Sequence, residues 1–193
     1  MPEALPAHGA IVLAAGAAGR FGRAKQLLQL EGETLAHRAS RLALATLPID
    51  ALVVVGADAD TVFRSVRDLA VRRVDCADWR TGMSASLRAG VGALRPECAG
   101  ALIVLCDQPA LDAAHLERLV SAWRAHPQRA VASAYAGRRG VPALLPRAWF
   151  VDFERSRGDR GARDLLAQRA EEVTAVVNER LAWDVDSERD WPS

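Results

Sequence analysis

Continuous apolar runs alternate along this chain with segments of helical period, and that alternation restricts the fold more than any other feature. Ala10–Ala15, Ala51–Gly56 and Gly100–Cys106 are apolar throughout, apart from their glycines. Strands of this kind need cover on both faces, which a mostly parallel sheet between two layers of helices provides. Val71–Cys76, Ala130–Tyr135 and Val173–Val177 are weaker strand candidates. The helical segments are Leu35–Leu47 (Thr34 as cap, Pro48 after the end), Asp58 to Leu69, Met83–Leu94, Asp112–His126 and Ala162–Ala170. Gly137–Gly161 is loop-rich and basic and reads as an excursion from the sheet. No repeat or linker interrupts the pattern, so an α/β chain of one domain is expected, with ligands bound outside the carboxyl ends of its strands.

Composition excludes several classes of function. Lys+Arg 25 against Asp+Glu 24 leave a formal charge of +1 over 193 residues. No net field therefore draws the chain to nucleic acid or to an anionic membrane. No apolar run reaches the ~20 residues of a bilayer-spanning helix. Ile11–Gly19 has the length of a signal-peptide core but no basic flank, since Glu3 is the only charged residue ahead of Arg20. Cys76, Cys98 and Cys106 are odd in number and lack CxxC spacing, so they read as thiols of a reducing compartment, and a cytoplasmic protein is expected. His8, His37, His115 and His126 stand at no metal-ligand spacing. The cations are 24 arginines and a single lysine, Lys25. A lysine kept in so arginine-biased a chain suits a task needing a compact ammonium instead of a planar fork.

Lys25 closes the glycine-rich stretch Leu13-Ala14-Ala15-Gly16-Ala17-Ala18-Gly19-Arg20-Phe21-Gly22-Arg23-Ala24-Lys25, which follows the first strand. Small residues let backbone N–H groups approach an anion closely, and Gly16, Gly19 and Gly22 tolerate positive φ. The same glycines also suit a plain tight turn. Arg20 and Lys25 add positive charge where a polyphosphate would lie. The spacing G-x-x-G-x-x-G is neither the dinucleotide fingerprint nor a Walker loop, which has Ser or Thr where Gln26 stands.

Asp107 ends the third apolar strand in Asp107-Gln108-Pro109. It is placed either to give a hard cation an oxygen in the ligand crevice or to cap the helix that follows. Gly82-Met83-Ser84-Ala85-Ser86-Leu87 opens a helix, where Ser84 or Ser86 and the free amides meet a base edge or phosphate, or Ser84 simply caps the helix. The segment Gly158-Asp159-Arg160-Gly161-Ala162-Arg163 is another helix start, with Asp159 as its cap. Trp183-Asp184-Val185-Asp186-Ser187-Glu188-Arg189-Asp190 is read as an acidic helix start with Ser187 as cap.

Together with Leu27-Leu28, the L-A-A-G-x-x-x-R-F-G-x-x-K loop resembles the signature of the molybdopterin-guanylyltransferase-like nucleotidyltransferases. D-Q-P, G-M-S-x-S-L and the R-G-x-P of Arg139-Gly140-Val141-Pro142, ahead of an apolar strand at Ala143-Leu144-Leu145, resemble the molybdenum cofactor cytidylyltransferase branch. The stretch G-D-x-G-A-R and the Asp186 turn also resemble the family. The likeness runs from Ile11 to Trp191 with the motifs in order. Ala18, Phe21, Val141 (usually His in the branch) and the Glu188-Arg189 pair depart from the pattern.

The resemblance implies a Rossmann-like three-layer α/β/α fold of the nucleotide-diphospho-sugar transferase type, with a mostly parallel central sheet and one NTP transferase domain over residues 1–193. It implies transfer of CMP from CTP to the phosphate of molybdopterin or the molybdenum cofactor, with release of pyrophosphate. Mg2+ would be held by Asp107 and Asp186, and Lys25, Arg20 and Asp107 are the implied catalytic residues. Leu13, Ala14, Ala15, Gly16, Gly19, Lys25, Gly82, Met83, Ser84 and Ser86 would bind the nucleotide. Arg139, Gly140, Pro142, Asp159 and Arg163 would hold the acceptor. A molybdoenzyme or its chaperone is an implied partner. Two readings compete: the same fold using GTP or another phosphorylated acceptor, and a non-catalytic protein that binds or delivers the cofactor. A nicotinamide-dependent oxidoreductase would need G-x-G-x-x-G and an acidic residue ending the second strand, where Gly56 stands.

Overall fold

Residues 5–17, 24–155 and 161–183 are described by the structure, a computed structural model. Seven strands form one sheet: β1 (His8–Ala14), β4 (Asp50–Val55), β5 (Arg72–Asp75), β6 (Gly100–Leu105), β7 (Ala130–Tyr135), β8 (Arg138–Pro146) and β9 (Val173–Val177). A small hairpin, β2 (Gln29–Leu30) with β3 (Glu33–Thr34), stands apart from it. The sheet order is β5-β4-β1-β6-β8-β7-β9. Only β8 runs antiparallel to its neighbours; the other pairings are parallel.

The apolar strands feed two cores because successive side chains leave a strand on opposite faces. Val12, Val53, Leu102 and Val104 pack on one face under the helices α1 (Leu35–Ala45), α2 (Ala59–Arg64) and α4 (Ala113–Ala125). Ile11, Leu52, Val54 and Ile103 pack on the other under α3 (Met83–Ala93), α5 (Phe150–Arg155) and α6 (Ala162–Gln168). This is the expected three-layer α/β/α arrangement around a mostly parallel sheet. Thr34 caps α1 by accepting from the His37 amide at 3.2 Å, and Asp112 caps α4 by accepting from the His115 amide at 2.8 Å. Helix α3 lies so close to β1 that a Cβ on Gly90 would meet Ile11 Cγ2 at 2.7 Å.

Two expectations are corrected. The excursion expected over Gly137–Gly161 begins later: Arg138–Pro146 is a strand, buried from Gly140 to Pro146, and the chain leaves the sheet at Arg147 to enter α5. The turn at Ala136 and Gly137, with φ of 48 and 69, folds β8 back onto β7, and the edge of β6 takes its other side. The helix expected from Asp58 to Leu69 is only Ala59–Arg64, and Asp58 sits in the left-handed region without capping through its side chain. Among the described residues no helix is long and apolar enough to cross a membrane.

Candidate functional site

From β1 the sheet extends through β4 to β5 on one side and resumes with β6 on the other. The carboxyl ends of β1 and β6 therefore flank the crevice in which open α/β sheets bind ligands. A cavity of about 370 Å³ lies there. β1 and its exit supply Leu13, Ala15, Gly16 and Ala17, and β6 supplies Leu105, Cys106 and Asp107. The 3-10 turn Lys25–Leu27 contributes Lys25 and Gln26; Trp79, Arg80, Gly82, Met83 and Ser86 close the far wall.

Lys25 Nζ donates to Asp107 Oδ2 at 2.6 Å, across 82 positions of sequence. Both side chains are largely shielded, at 27% and 19% exposure. Asp107 Oδ1 is buried and has no hydrogen-bond partner among the described residues. Burial pushes the neighbouring Cys106 thiol well above its ordinary value, with the Asp107 charge adding to the effect and Lys25 opposing it. That thiol stays protonated and is no nucleophile.

A second cavity of about 370 Å³ shares Met83, Leu105 and Asp107 with the first. Beyond them it is walled by Gln108, Tyr135, Arg138, Gly140, Val141 and the start of α6, including Arg163. Gln108 Nε2 donates to the Val141 carbonyl at 3.1 Å and to Tyr135 Oη at 3.2 Å, and Tyr135 Oη donates to the same carbonyl at 2.9 Å. The end of β6 and the hairpin are thus fastened by one buried knot. Behind it, Ser133 Oγ donates to the Pro142 carbonyl at 2.7 Å and lies 2.8 Å from His115 Nε2. Burial, then the charge of Arg118, lowers His115 to about 4, so the imidazole is neutral and Ser133 Oγ accepts from it.

Of the residues singled out in the sequence, Leu13, Ala15, Gly16, Lys25, Gly82, Met83, Ser86 and Asp107 line the first cavity. Ala14 lies just behind it. Ser84 is buried and lines neither cavity. Gly140 and Arg163 line the second. Arg139 does not: it donates to the Ala170 carbonyl at 2.9 Å and borders a separate cavity of about 400 Å³, while its neighbour Arg138 reaches the shared one. Pro142 is buried in β8 and holds Ser133. Arg20, Gly19, Asp159 and Asp186 lie outside the described residues.

Sequence reasoning did not single out Gln26, Trp79, Arg80 or Arg138. Gln26 Nε2 donates to the carbonyls of Ala14 (3.2 Å) and Gly16 (2.8 Å), so it pins the exit of β1. The Arg80 guanidinium stacks over the Trp79 ring, 4.4 Å from its centre. Trp79 fits because Gly56 has no Cβ: one would stand 2.6 Å from Trp79 Cβ. The helix start at Gly82 and Met83 marked this wall in the sequence, and a tryptophan just before it is the signal that could have added Trp79.

Among the described residues no three His, Cys, Asp or Glu side chains gather into a metal cage. A cage is not required, because Mg2+ is commonly held by one or two carboxylates plus substrate phosphates. The free, buried Oδ1 of Asp107 at the meeting point of two cavities fits such a cation.

The model of the MobA-like NTP transferase domain matches residues 10–173. The chain belongs to this family. This MobA-like chain is 32% identical to nicotine blue oxidoreductase of Paenarthrobacter nicotinovorans, covering 95% of this chain and 94% of that one. It is 29% identical to the purine catabolism protein PucB of Bacillus subtilis, covering 91% and 88%. Its fold is similar to that of Rv0371c from Mycobacterium tuberculosis, with a TM-score of 0.83 at 25% identity over 97% of this chain and 96% of that one; a structure of Rv0371c with manganese is also known.

Proposed function

We propose that this chain is a cytoplasmic, Mg2+-dependent cytidylyltransferase, a single domain over residues 1–193. It moves CMP from CTP to the terminal phosphate of molybdopterin or the molybdenum cofactor and releases pyrophosphate. The observation that carries this reading is the position of Asp107, paired with Lys25, on the wall common to two cavities. A transferase joining two substrates needs charge control at the point where they meet.

The nucleotide occupies the first cavity, against Gly16, Gly82, Met83 and Ser86. Gln26 holds the Ala14 and Gly16 carbonyls in place. The acceptor occupies the second, with Arg138 and Arg163 facing its anionic end. An acceptor phosphate oxygen attacks the α-phosphorus in line. The new P–O bond forms as the α–β bridging bond breaks, and pyrophosphate departs with the bonding pair. The attacking oxygen is already anionic, so no general base is needed. The Lys25 ammonium faces charge developing at the α-phosphate, and the sequence motif assigns Arg20 to the leaving β- and γ-phosphates. Mg2+ held by Asp107 and Asp186 supplies charge neutralisation and alignment of the triphosphate. The recipient of the product is a molybdoenzyme or its chaperone.

The test supplies each NTP with Mg2+ and molybdopterin and follows pyrophosphate. Release with CTP is expected. Release with GTP alone would reassign the base. Cofactor binding without release from any NTP would make this a delivery protein. The name of one relative gives a further arm: reduction of nicotine blue by a reduced nicotinamide, with no pyrophosphate formed, would replace the proposal.

A further inference from the structure

Asp107 and Lys25, the two groups assigned to opposite partners of a metal–triphosphate, are bonded to each other at 2.6 Å. We infer that Lys25 is a place-holding counter-ion: it neutralises Asp107 before substrate arrives and releases it to the divalent cation only when the polyphosphate takes the ammonium. Cation and nucleotide then bind as a coupled pair. The inference deepens the nucleotidyltransferase reading and rests on it.

The carboxylate is the fixed member. Asp107 leaves the end of β6, whose Leu105 pairs with Leu13 of β1, and Cys106 Sγ donates to the Leu13 carbonyl at 3.5 Å. Lys25 is the movable member, a four-carbon stem on a three-residue turn. An ammonium this close to Oδ2 lies within a few ångströms of any cation bound through Oδ1. Like charges so near, both largely shielded from water, each weaken binding of the other. A phosphate that draws Lys25 away relieves that repulsion, and by linkage the cation tightens the nucleotide by the same factor. An arginine at this position would keep the charge, and with it the block. A neutral side chain would lift it.

The experiment titrates Mn2+, without nucleotide, against the wild-type protein and the variants Lys25→Met, Lys25→Arg and Lys25→Met/Asp107→Asn. Bound metal is read by electron paramagnetic resonance, and folding by melting curves. Lys25→Met should bind Mn2+ about tenfold more tightly than wild type, within the range of ordinary coupling free energies. Lys25→Arg should stay at the wild-type level, and the double variant should lose the gain. Unchanged or weaker Mn2+ binding by folded Lys25→Met overturns the inference, as does a gain that survives Asp107→Asn. The nucleotidyltransferase reading fails separately, on the absence of pyrophosphate release by wild type with any NTP.

Discussion

Two glycines of α3, two residues apart, should respond in opposite senses to the same change. Gly90→Ala and Gly92→Ala each gain about 1 kcal/mol of helix propensity. At Gly92 the new methyl meets nothing within 4 Å, so that gain survives. At Gly90 the methyl would stand 2.7 Å from Ile11 Cγ2 and 3.2 Å from Ile11 Cδ1 and Val54 Cγ2. Ile11 and Val54 are fully buried on adjoining strands and have nowhere to retreat. Overpacking of this kind costs about 1–3 kcal/mol, so the gain is cancelled or outweighed and Gly90→Ala is destabilised by up to about 2 kcal/mol. For a chain of this size each kcal/mol moves the melting temperature by about 2–4 °C. Gly92→Ala should therefore melt about 2–4 °C above wild type and Gly90→Ala up to about 8 °C below it. Because α3 begins at Met83 in the cavity wall, Gly90→Ala should also weaken nucleotide binding, read as a smaller rise in melting temperature with CTP and Mg2+. Shifts of the same sign in both variants would refute the packing argument.

Asp107→Ala and Asp186→Ala should each lower pyrophosphate release by several orders of magnitude while circular dichroism stays native; Lys25→Ala should do the same, and Lys25→Arg should fail to restore it. Arg138→Ala should raise the acceptor KM about tenfold with little change in kcat. Arg139→Ala should leave that KM within about twofold, because its guanidinium is spent on the Ala170 carbonyl. Stability measured by urea unfolding should fall as pH drops from about 6.5 toward 4. His8, lowered to about 4 by burial and then by Arg124, and His115, lowered to about 4 by burial and then by Arg118, stay neutral when folded but take up protons when unfolded. Each contributes at most about 3 kcal/mol, present above 6.5 and lost through that window. A flat profile between pH 7 and pH 5 would contradict it.

The three central parallel strands β1, β4 and β6 are legible in sequence because they are built on continuous apolar runs, with Val12, Val53 and Leu102 serving one layer and Ile11, Leu52 and Ile103 the other. Strand β8 is legible only in its apolar half, Ala143 to Leu145, since Arg138, Arg139, Gly140 and Pro142 have neither the period nor the propensity of a strand. It is a strand because the turn before it and the edges beside it leave no other course. Lys25 and Asp107 stand out by residue type and by position at element ends. Their contact does not, because no local pattern joins residues 82 apart. Arg139 and Arg138 show the limit of a motif: it gives the residue type, but which of two neighbours reaches the cavity beside Asp107 depends on how the strand is seated.

Within the sheet, β8 is the strand that joins β6 to the pair β7 and β9. Under the proposed function, the nucleotide cavity is bordered by the parallel strands β1 and β6, and the acceptor cavity by the β7–β8 hairpin. If that reading holds, exchanging the β7–β8 hairpin changes which acceptor is taken and leaves the choice of nucleotide as it was.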